Sequence, residues 1–320
     1  MMNKLTVVAR RSLTPRVDEF TLALPDGAPL PGWTPGSHVD VSVPGSGLTR
    51  QYSLCSRPSD PSSYTVAVDR QDVNSGGRGG SSGLHRDAGA GTPVLVGAPR
   101  NHFPLTRALN YVFVAGGVGV TPMVSLVAEA QRTGRPWRML CLARTEADMP
   151  YLAQLRDEYG SAAAGRIRFH GSAQAGRVDL AAALADLPRG TAVYVCGPGS
   201  LADDVATAVA DQPAVDVFAE QFTAPDLSDD TAASFDVTLA TSGETVTVAP
   251  DASLLDTLEA HGTLLASSCR EGVCGTCEVG VVSGEVDHRD NVLTPEERSE
   301  NESMMVCVSR CRSGRLVLDL

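Results

Sequence analysis

The sequence lacks long hydrophobic runs, and most of its cysteines stand alone. No apolar segment approaches the roughly 18 residues that a membrane-spanning helix needs, and the first ten residues hold too short an apolar run for a signal peptide. Four of the eight cysteines belong to one pattern described below, and the other four show no disulfide-framework spacing: Cys55, Cys141, Cys196 and Cys311. We therefore expect a cytoplasmic protein with reduced thiols and no membrane association.

Positive charge is scarce, and the excess of negative charge is concentrated in the last ninety residues. The 320 residues carry a formal net charge of −12, and residues 231–320 hold six arginines, no lysine and fifteen carboxylates, a net charge of −9. This balance disfavours nucleic acid and anionic membranes and favours a basic protein partner, although solubility explains any single carboxylate equally well. The length suits two or three domains, and the 42% of hydrophobic residues suffices for their cores.

Three cysteines within nine residues are the densest chemical signal in the chain. Cys269, Cys274 and Cys277 have the spacing Cys-x4-Cys-x2-Cys, and Cys307 follows later. This is the plant-type ligand pattern for a [2Fe–2S] cluster, in which soft thiolates bind iron. Structural zinc is the alternative, but zinc sites usually show paired Cys-x2–4-Cys knuckles. A disulfide framework would require an oxidising compartment.

The first hundred residues have the pattern of short strands. Apolar and polar residues alternate over 5–24 and 37–43 with Pro and Gly between them, which predicts a small antiparallel barrel. The glycine-dense segment 76–83 contains one arginine and two hydroxyls, so we predict a loop that forms a phosphate-sized anion nest. A flexible linker is the ordinary interpretation of such a run. A strand with Arg50 and Tyr52 would supply a cation and an aromatic ring to a flat cofactor.

The middle of the chain has the pattern of a nucleotide-binding fold. An apolar strand over 111–115 leads through the glycine turn 116–119 into a helix, and Pro122 is expected at the first helical position. This geometry presents backbone N–H groups to a diphosphate. Further apolar strands are predicted over 137–143 and 192–195.

Two carboxylates, Glu146 and Asp148, follow the second of these strands. A 2′-phosphate would require cations there, so we expect NADH rather than NADPH, unless these acids merely face water. In the last third, segments 235–239 and 245–248 predict a hairpin, and a short helix over 253–261 precedes the cysteine loop.

Together these motifs resemble the phthalate dioxygenase reductase and vanillate demethylase reductase family of the ferredoxin–NADP reductase superfamily. The resemblance covers nearly the full chain and rests on Arg50-x-Tyr52-Ser53, the Gly-Arg-Gly-Gly-Ser segment at 77–81, residues 99–105, the loop from Gly116 to Pro122 and the cysteine loop. It implies a multidomain protein with three parts. These are an antiparallel β-barrel flavin domain (1–105), an α/β parallel-sheet nucleotide domain (106–225) and an α+β plant-type ferredoxin domain (234–320).

The resemblance also implies the sites. FMN is expected rather than FAD, because no aromatic shelf for an adenine is evident. The flavin would contact Arg50, Gln51, Tyr52, Ser53, Ala67 and Val68, and its phosphate Arg78, Gly79, Gly80, Ser81 and Ser82. The nicotinamide nucleotide would contact Gly116, Gly117, Gly119, Thr121, Pro122, Arg144, Thr145, Cys196, Gly197 and Pro198. Residues at the reacting rings would be Cys196, Ser53 and Phe222. The cluster ligands would be Cys269, Cys274, Cys277 and Cys307, with Cys311 a departure from the family pattern.

The function that follows is an NADH-dependent electron-transfer reductase. Electrons would pass from NADH to FMN, then to the [2Fe–2S] cluster, and then to a terminal oxygenase of the Rieske type or a cytochrome P450. The alternative is a non-catalytic ferredoxin-type carrier or redox sensor, which would need neither of the glycine-rich segments. We expect a monomer, and the oxygenase and its substrate cannot be named from the sequence.

Overall fold

A computed structural model of the protein describes residues 2–71, 79–160, 165–222, 227 and 233–320. The chain divides into two compact units, Met1–Glu220 and Gln221–Leu320. The first unit contains an antiparallel and a parallel sheet, and the second contains a smaller mixed sheet. The two sheets of the first unit share one buried cluster, in which Phe103 and Cys55 join residues of the parallel sheet. The boundaries of the three predicted domains stay predictions.

The antiparallel sheet of the first unit is a closed barrel. Its strands are β1 (Asn3–Ser12), β2 (Val17–Ala23), β3 (His38–Ser42), β4 (Thr49–Ser53), β5 (Tyr64–Asp69) and β6 (Pro93–Val96). They lie in the order β4-β3-β6-β1-β2-β5, and a bridge between Leu54 and Val66 joins the two outer strands. The alternation seen in the sequence is that of the sheet: on β2, Val17, Phe20 and Leu22 are buried between half-buried residues.

A helix covers part of the segment predicted as a loop. Helix α1 (Gly80–Asp87) follows β5, so the prediction of a loop through residue 83 was wrong from Gly80 onward. Leu84 enters the barrel core, and Gly83 packs so closely on Val43 that an added Cβ would lie 2.6 Å from its side chain. This burial stabilises a helix despite two glycines, which have low helix propensity.

The parallel sheet is an open α/β sheet. Its strands are β7 (Asn110–Gly116), β8 (Trp137–Ala143), β9 (Ile167–Gly171), β10 (Thr191–Cys196) and β11 (Val215–Glu220). Its helices are α2 (Val120–Thr133), α3 (Leu152–Tyr159), α4 (Ser172–Ala175), α5 (Leu180–Ala183) and α6 (Leu201–Val209). The order β11-β10-β7-β8-β9 reverses between β7 and β10, and such a switch point is where open parallel sheets bind ligands.

The sequence pattern identified the central strands and missed the outer ones. The apolar runs correspond to β7, β8 and β10, which are buried almost throughout. Strands β9 and β11 lie at the two edges, and their residues are half-buried or exposed, so they lack a continuous apolar run.

The second unit contains the hairpin predicted from the sequence. Its strands are β12 (Phe235–Leu239), β13 (Thr245–Val248), β14 (Glu278–Ser283), β15 (Val286–Asp287), β16 (Ser303–Met305), β17 (Arg310–Cys311) and β18 (Arg315–Leu318). Five of them form a sheet in the order β13-β12-β18-β14-β16, and β15 pairs with β17. Helices α7 (Leu254–Ala260) and α8 (Pro295–Glu300) complete the unit, and the Ser253 hydroxyl caps α7 by accepting from Asp256 N at 3.0 Å. Across the described ranges, no helix has the length and apolarity to cross a membrane.

Candidate cofactor sites

The four predicted cluster ligands lie together in the second unit. Cys269, Cys274, Cys277 and Cys307 are all at least 93% buried. The thiol of Cys269 contacts those of Cys274 and Cys307, and Cys277 also contacts Cys307. These shared hydrogen bonds lower the pKa of the Cys269 thiol and raise the pKa of the Cys274 and Cys307 thiols, so the four side chains interact as one group.

Backbone geometry fits this loop to a cluster. Arg270 and Gly272 have positive φ values of 59° and 68°, and Glu271 N donates to Cys269 Sγ at 3.3 Å. A Cβ at Gly272 would lie 2.6 Å from Val308 Cγ2, so the loop wraps tightly on the segment that carries Cys307. Among the described residues, no group of three or more Asp, Glu, His or Cys side chains is arranged to bind a single metal ion. A [2Fe–2S] cluster does not require such convergence, because each iron takes two of the four thiolates.

Cys311 lies apart from this group in its contacts. It is half-buried on β17, pairs in register with Val286, and its Sγ lies 3.5 Å from the Ser313 hydroxyl. The ligand assignment of Cys307 over Cys311 agrees with these contacts and stays a prediction.

Arg270 anchors the cysteine loop to α7 through Asp256 Oδ1 at 2.7 Å and Glu259 Oε1 at 2.5 Å.

The predicted flavin residues gather on β4, β5 and the start of α1. Arg50 lies against the first turn of α1, since a Cβ at Gly80 would be 2.7 Å from Arg50 Nε. Gly79, with φ 83°, precedes that turn, and no side chain among the described residues caps its N–H groups. Such a turn beside an arginine suits a phosphate. Arg78 falls outside the described residues.

The other predicted flavin residues differ in burial and in their hydrogen bonds. Gln51 donates to Asp40 Oδ1 at 2.8 Å, so its amide is engaged within the barrel. The Tyr52 hydroxyl is buried and makes no hydrogen bond within the described ranges, and burial raises its pKa. Ser81 Oγ accepts from Gln71 N at 2.9 Å. The remaining members of this set are Ala67 and Val68, both buried on β5, and Ser82, which is half-buried on α1.

Two glycine-rich loops meet at the switch point of the parallel sheet. A Cβ at Gly119 would lie 2.2 Å from Cys196 O, and one at Gly197 would lie 3.0 Å from Gly116 Cα. Only glycine permits backbones to approach this closely. Gly117, with φ 53°, opens the 3-10 turn Gly117–Gly119 that leads into α2.

The start of α2 differs from the prediction. The helix begins at Val120, so Pro122 is its third residue and not its first. The position tolerates proline because the first helical N–H groups have no intrahelical partner. The Thr121 hydroxyl donates to Val118 O at 2.9 Å, which ties the first turn of α2 to the glycine turn before it.

A cavity of about 500 Å³ runs from the barrel to the carboxyl edge of the parallel sheet. Its lining includes Arg16 and Asp69 from the barrel, and Gly116, Arg144 and Pro198 from the parallel sheet. The sequence analysis missed much of the rest of the lining, including His170 on edge strand β9, Ser172 at the start of α4 and Arg177 just after that helix.

The predicted ribose residues divide between the cavity and a local turn. Thr145 does not line the cavity; its hydroxyl donates to Asp148 Oδ2 at 2.7 Å in a capping box. Asp148 does line the cavity. Glu146 does not, and it accepts from Arg156 Nη1 at 2.9 Å. Of the two carboxylates used to predict NADH, only Asp148 therefore faces the cavity.

A carboxyl group that the sequence analysis missed joins two predicted residues. Cys196 ends β10 and pairs in register with Glu220 at the end of β11, and Ser53 of the barrel lies near the same carboxyl group. Although Glu220 as a whole is half-buried, its Oε2 atom is inaccessible, and this burial raises its pKa to about 8, partly offset by Ser53. Burial and Glu220 together raise the pKa of the Cys196 thiol well above its usual value.

Phe222, the third residue predicted at the reacting rings, lies just beyond the first unit. It belongs to the second unit and is 42% exposed. Its predicted contact with a flavin stays a prediction.

A barrel joined to a parallel nucleotide sheet, with a group of four cysteines in a second unit, defines an electron-transfer oxidoreductase. Residues 113–207 match the oxidoreductase NAD-binding domain family, and residues 237–312 match the 2Fe-2S iron-sulfur cluster binding domain family. The carnitine monooxygenase reductase subunit of Escherichia coli (strain K12) is 39% identical over 315 residues, which cover 96% of this chain and 95% of the relative.

Solved structures of an oxygenase reductase and of a P450 fusion are similar to this chain over its full length. The structure of phthalate dioxygenase reductase is 34% identical, with a TM-score of 0.71 over 100% of this chain and 98% of that one. An intact type IV self-sufficient cytochrome P450 monooxygenase is 37% identical with a TM-score of 0.88, and this chain spans 41% of its length. The chain belongs to the phthalate dioxygenase reductase family. It is an oxygenase reductase with FMN, NADH and [2Fe–2S] cofactors, and it delivers electrons to an oxygenase.

Proposed function

We propose that the oxygenase partner is a separate Rieske-type component and that the residues assigned above carry the transfer. The observation that carries the transfer route is the approach of barrel residue Ser53 to the Glu220 carboxyl group, and Glu220 pairs in register with Cys196. One of these residues comes from the barrel and two from the nucleotide sheet. A flavin ring held by the first and a nicotinamide held by the second would then stack at their junction.

The chain's own residues would bind and orient the cofactors. Arg50 and the first turn of α1 would hold the flavin phosphate, and the first turn of α2 would hold the nucleotide diphosphate. Glu220 would keep a proton on its carboxyl group at neutral pH, so the site would carry no extra negative charge. When bound, the flavin accepts two electrons from NADH and releases them singly, and the cluster carries one at a time.

The proposed cluster ligands are Cys269, Cys274, Cys277 and Cys307. The acidic composition of residues 231–320 supports a partner with a basic surface around its acceptor site. Leu264, which is 88% exposed five residues before Cys269, would offer an apolar contact within that interface. Raising the salt concentration should slow reduction of a protein acceptor and leave NADH oxidation by a small acceptor almost unchanged.

The route of the electrons is tested with two acceptors. Ferricyanide is small enough to take electrons from a flavin, whereas cytochrome c requires a protein surface near a one-electron carrier. Cys307→Ser should keep NADH–ferricyanide activity and lose NADH–cytochrome c activity. Loss of neither activity would refute the proposed route through the cluster, and loss of both with intact FMN would place the cluster before the flavin.

A cytochrome P450 is the second candidate partner, favoured by the TM-score of 0.88 to the P450 fusion. The test reduces the holoenzyme with NADH and mixes it anaerobically with a purified Rieske oxygenase or with a P450 haem domain under carbon monoxide. Bleaching of the Rieske centre at a faster rate supports the proposal. Faster formation of the 450 nm carbonyl complex would favour the P450.

We further propose that the protein works as a cytoplasmic monomer. The three non-ligand thiols in the first unit, Cys55, Cys141 and Cys196, are free and buried, as expected for a chain that needs no disulfides. Sedimentation of the holoenzyme should give the mass of one 33.4 kDa chain. A dimer mass would contradict the monomer.

A further inference from the structure

A buried tyrosine connects the two sheets of the first unit. Tyr151 is only 5% exposed and has a positive φ of 61°, a backbone conformation that bulky residues seldom adopt. It immediately precedes α3 of the parallel-sheet half. Its hydroxyl donates to Oε2 of Glu19, a residue of barrel strand β2, at 2.7 Å. A strained backbone that delivers a hydroxyl to another sheet indicates that this contact is specifically maintained.

The carboxylate that accepts this bond is itself fixed. Arg11 on neighbouring strand β1 donates to Glu19 through Nε at 3.1 Å and Nη2 at 3.0 Å. The two-bond fork orients the carboxylate and supports its charge beside a buried phenol. The acceptor is therefore held in place from within the barrel.

The other side of the phenol leads to the reaction site. The Cys55 thiol lies within hydrogen-bonding reach of the Tyr151 hydroxyl and donates to Ser53 O at 3.4 Å. Ser53 ends β4, the strand proposed to contact the flavin. The hydrogen-bonded series Arg11–Glu19–Tyr151–Cys55 thus ends on the backbone of that strand.

Tyr151 also belongs, by its position in the chain, to the nucleotide side. It lies three residues after Asp148, which lines the cavity, and directly before helix α3. A second link from α3 to the barrel, Arg57 to Glu158 at 2.5 Å, has an arginine side chain that is 71% exposed. Exposed ion pairs contribute little, so the buried phenol is the stronger link.

We infer that Tyr151 is a positioning residue, which acts through Glu19 and Cys55 to hold the nucleotide-binding sheet in register with the flavin strand. The inference rests on the proposed function, in which the barrel holds the flavin and the parallel sheet holds the nicotinamide. Hydride transfer depends steeply on the distance between the two rings, whereas the proposed diphosphate contacts of NADH lie within the parallel sheet. Loss of this contact should therefore slow transfer without weakening NADH binding.

The test is Tyr151→Phe in the holoenzyme, with Tyr64→Phe as the matched control. Tyr64 is also buried, but its hydroxyl donates to Pro31 O at 2.6 Å inside the barrel. Flavin bleaching by NADH is followed anaerobically in a stopped-flow instrument, with FMN content, iron content and thermal unfolding recorded. For Tyr151→Phe we expect a limiting rate lowered roughly tenfold. The NADH half-saturation should change less than about twofold, because the diphosphate contacts are intact.

The control decides between positioning and general stability. Tyr64→Phe should lower thermal stability to a similar extent with an unchanged limiting rate. Equal limiting rates for the two variants would overturn the inference, as would a fall in rate that merely tracks lost FMN. If Tyr151→Phe does not fold, Glu19→Ala, which removes the acceptor, is measured in its place, and an unchanged limiting rate there would also overturn it. Failure of NADH to bleach the wild-type flavin would instead refute the proposed function.

Discussion

The raised pKa of Glu220 leads to a prediction for stability and activity together. Burial raises this pKa from 4.5 to about 8, so the folded protein holds a proton that the unfolded chain releases between these values. The contribution of Glu220 to stability is therefore fully present below about pH 4.5 and is lost as the pH rises toward 8. Within that window the free energy of unfolding should fall by at most ~1.4 kcal/mol per pH unit from this group alone.

Glu220→Gln replaces the protonated carboxyl group by a neutral group of the same shape. The variant should lose this slope, and near pH 8 it should be more stable than the wild type by on the order of a few kcal/mol. Urea unfolding at several pH values between 5 and 8 measures the difference, and other titrating groups cancel in the comparison.

The same carboxyl group should shape the pH dependence of flavin reduction. Above about pH 8 the ionised Glu220 places a negative charge beside Cys196, the residue proposed to lie at the reacting rings, so the wild-type rate should fall. Glu220→Gln should remove this alkaline fall while it keeps most of the neutral rate. If the variant retains both the alkaline fall and the wild-type stability slope, Glu220 does not titrate as argued here.

Three further predictions concern the cofactors. Cys307→Ser should lose the iron–sulfur chromophore and Cys311→Ser should keep it, as iron analysis would show; the reverse result would move the fourth ligand to Cys311. Arg78→Ala should release FMN on dilution and leave the cluster spectrum intact, because it removes a charge-assisted phosphate contact; undiminished flavin retention would contradict this. Asp148→Asn should lower the preference for NADH over NADPH in the specificity constant by up to about tenfold, whereas Glu146→Gln, whose carboxylate pairs with Arg156, should not change it.

Local motifs were predictable because their chemistry and their spacing lie in one stretch of chain. The Cys-x4-Cys-x2-Cys loop contains three metal-binding thiols and the glycines that its tight turn requires, all within nine residues. The glycine turn Gly116–Gly119 comes at the end of an apolar strand. The start of α1 could not be predicted from the sequence, because it lies in a glycine-dense segment and glycines ordinarily disfavour helices. The packing of Gly83 on Val43 and the burial of Leu84 determine it, and neither contact is visible in the local pattern.

The parts of the site built from distant strands could not be found this way. Ser53 and Glu220 come from opposite ends of the first unit, and the Tyr151 hydroxyl meets a carboxylate 132 residues earlier in the chain. One signal was nevertheless available: Glu220 is a carboxylate at the carboxyl end of a parallel strand, the edge at which such sheets bind ligands. A charged residue at that edge has to be solvated, paired or protonated, and the raised pKa of Glu220 favours protonation. Its pKa is therefore the property of this site most directly open to measurement.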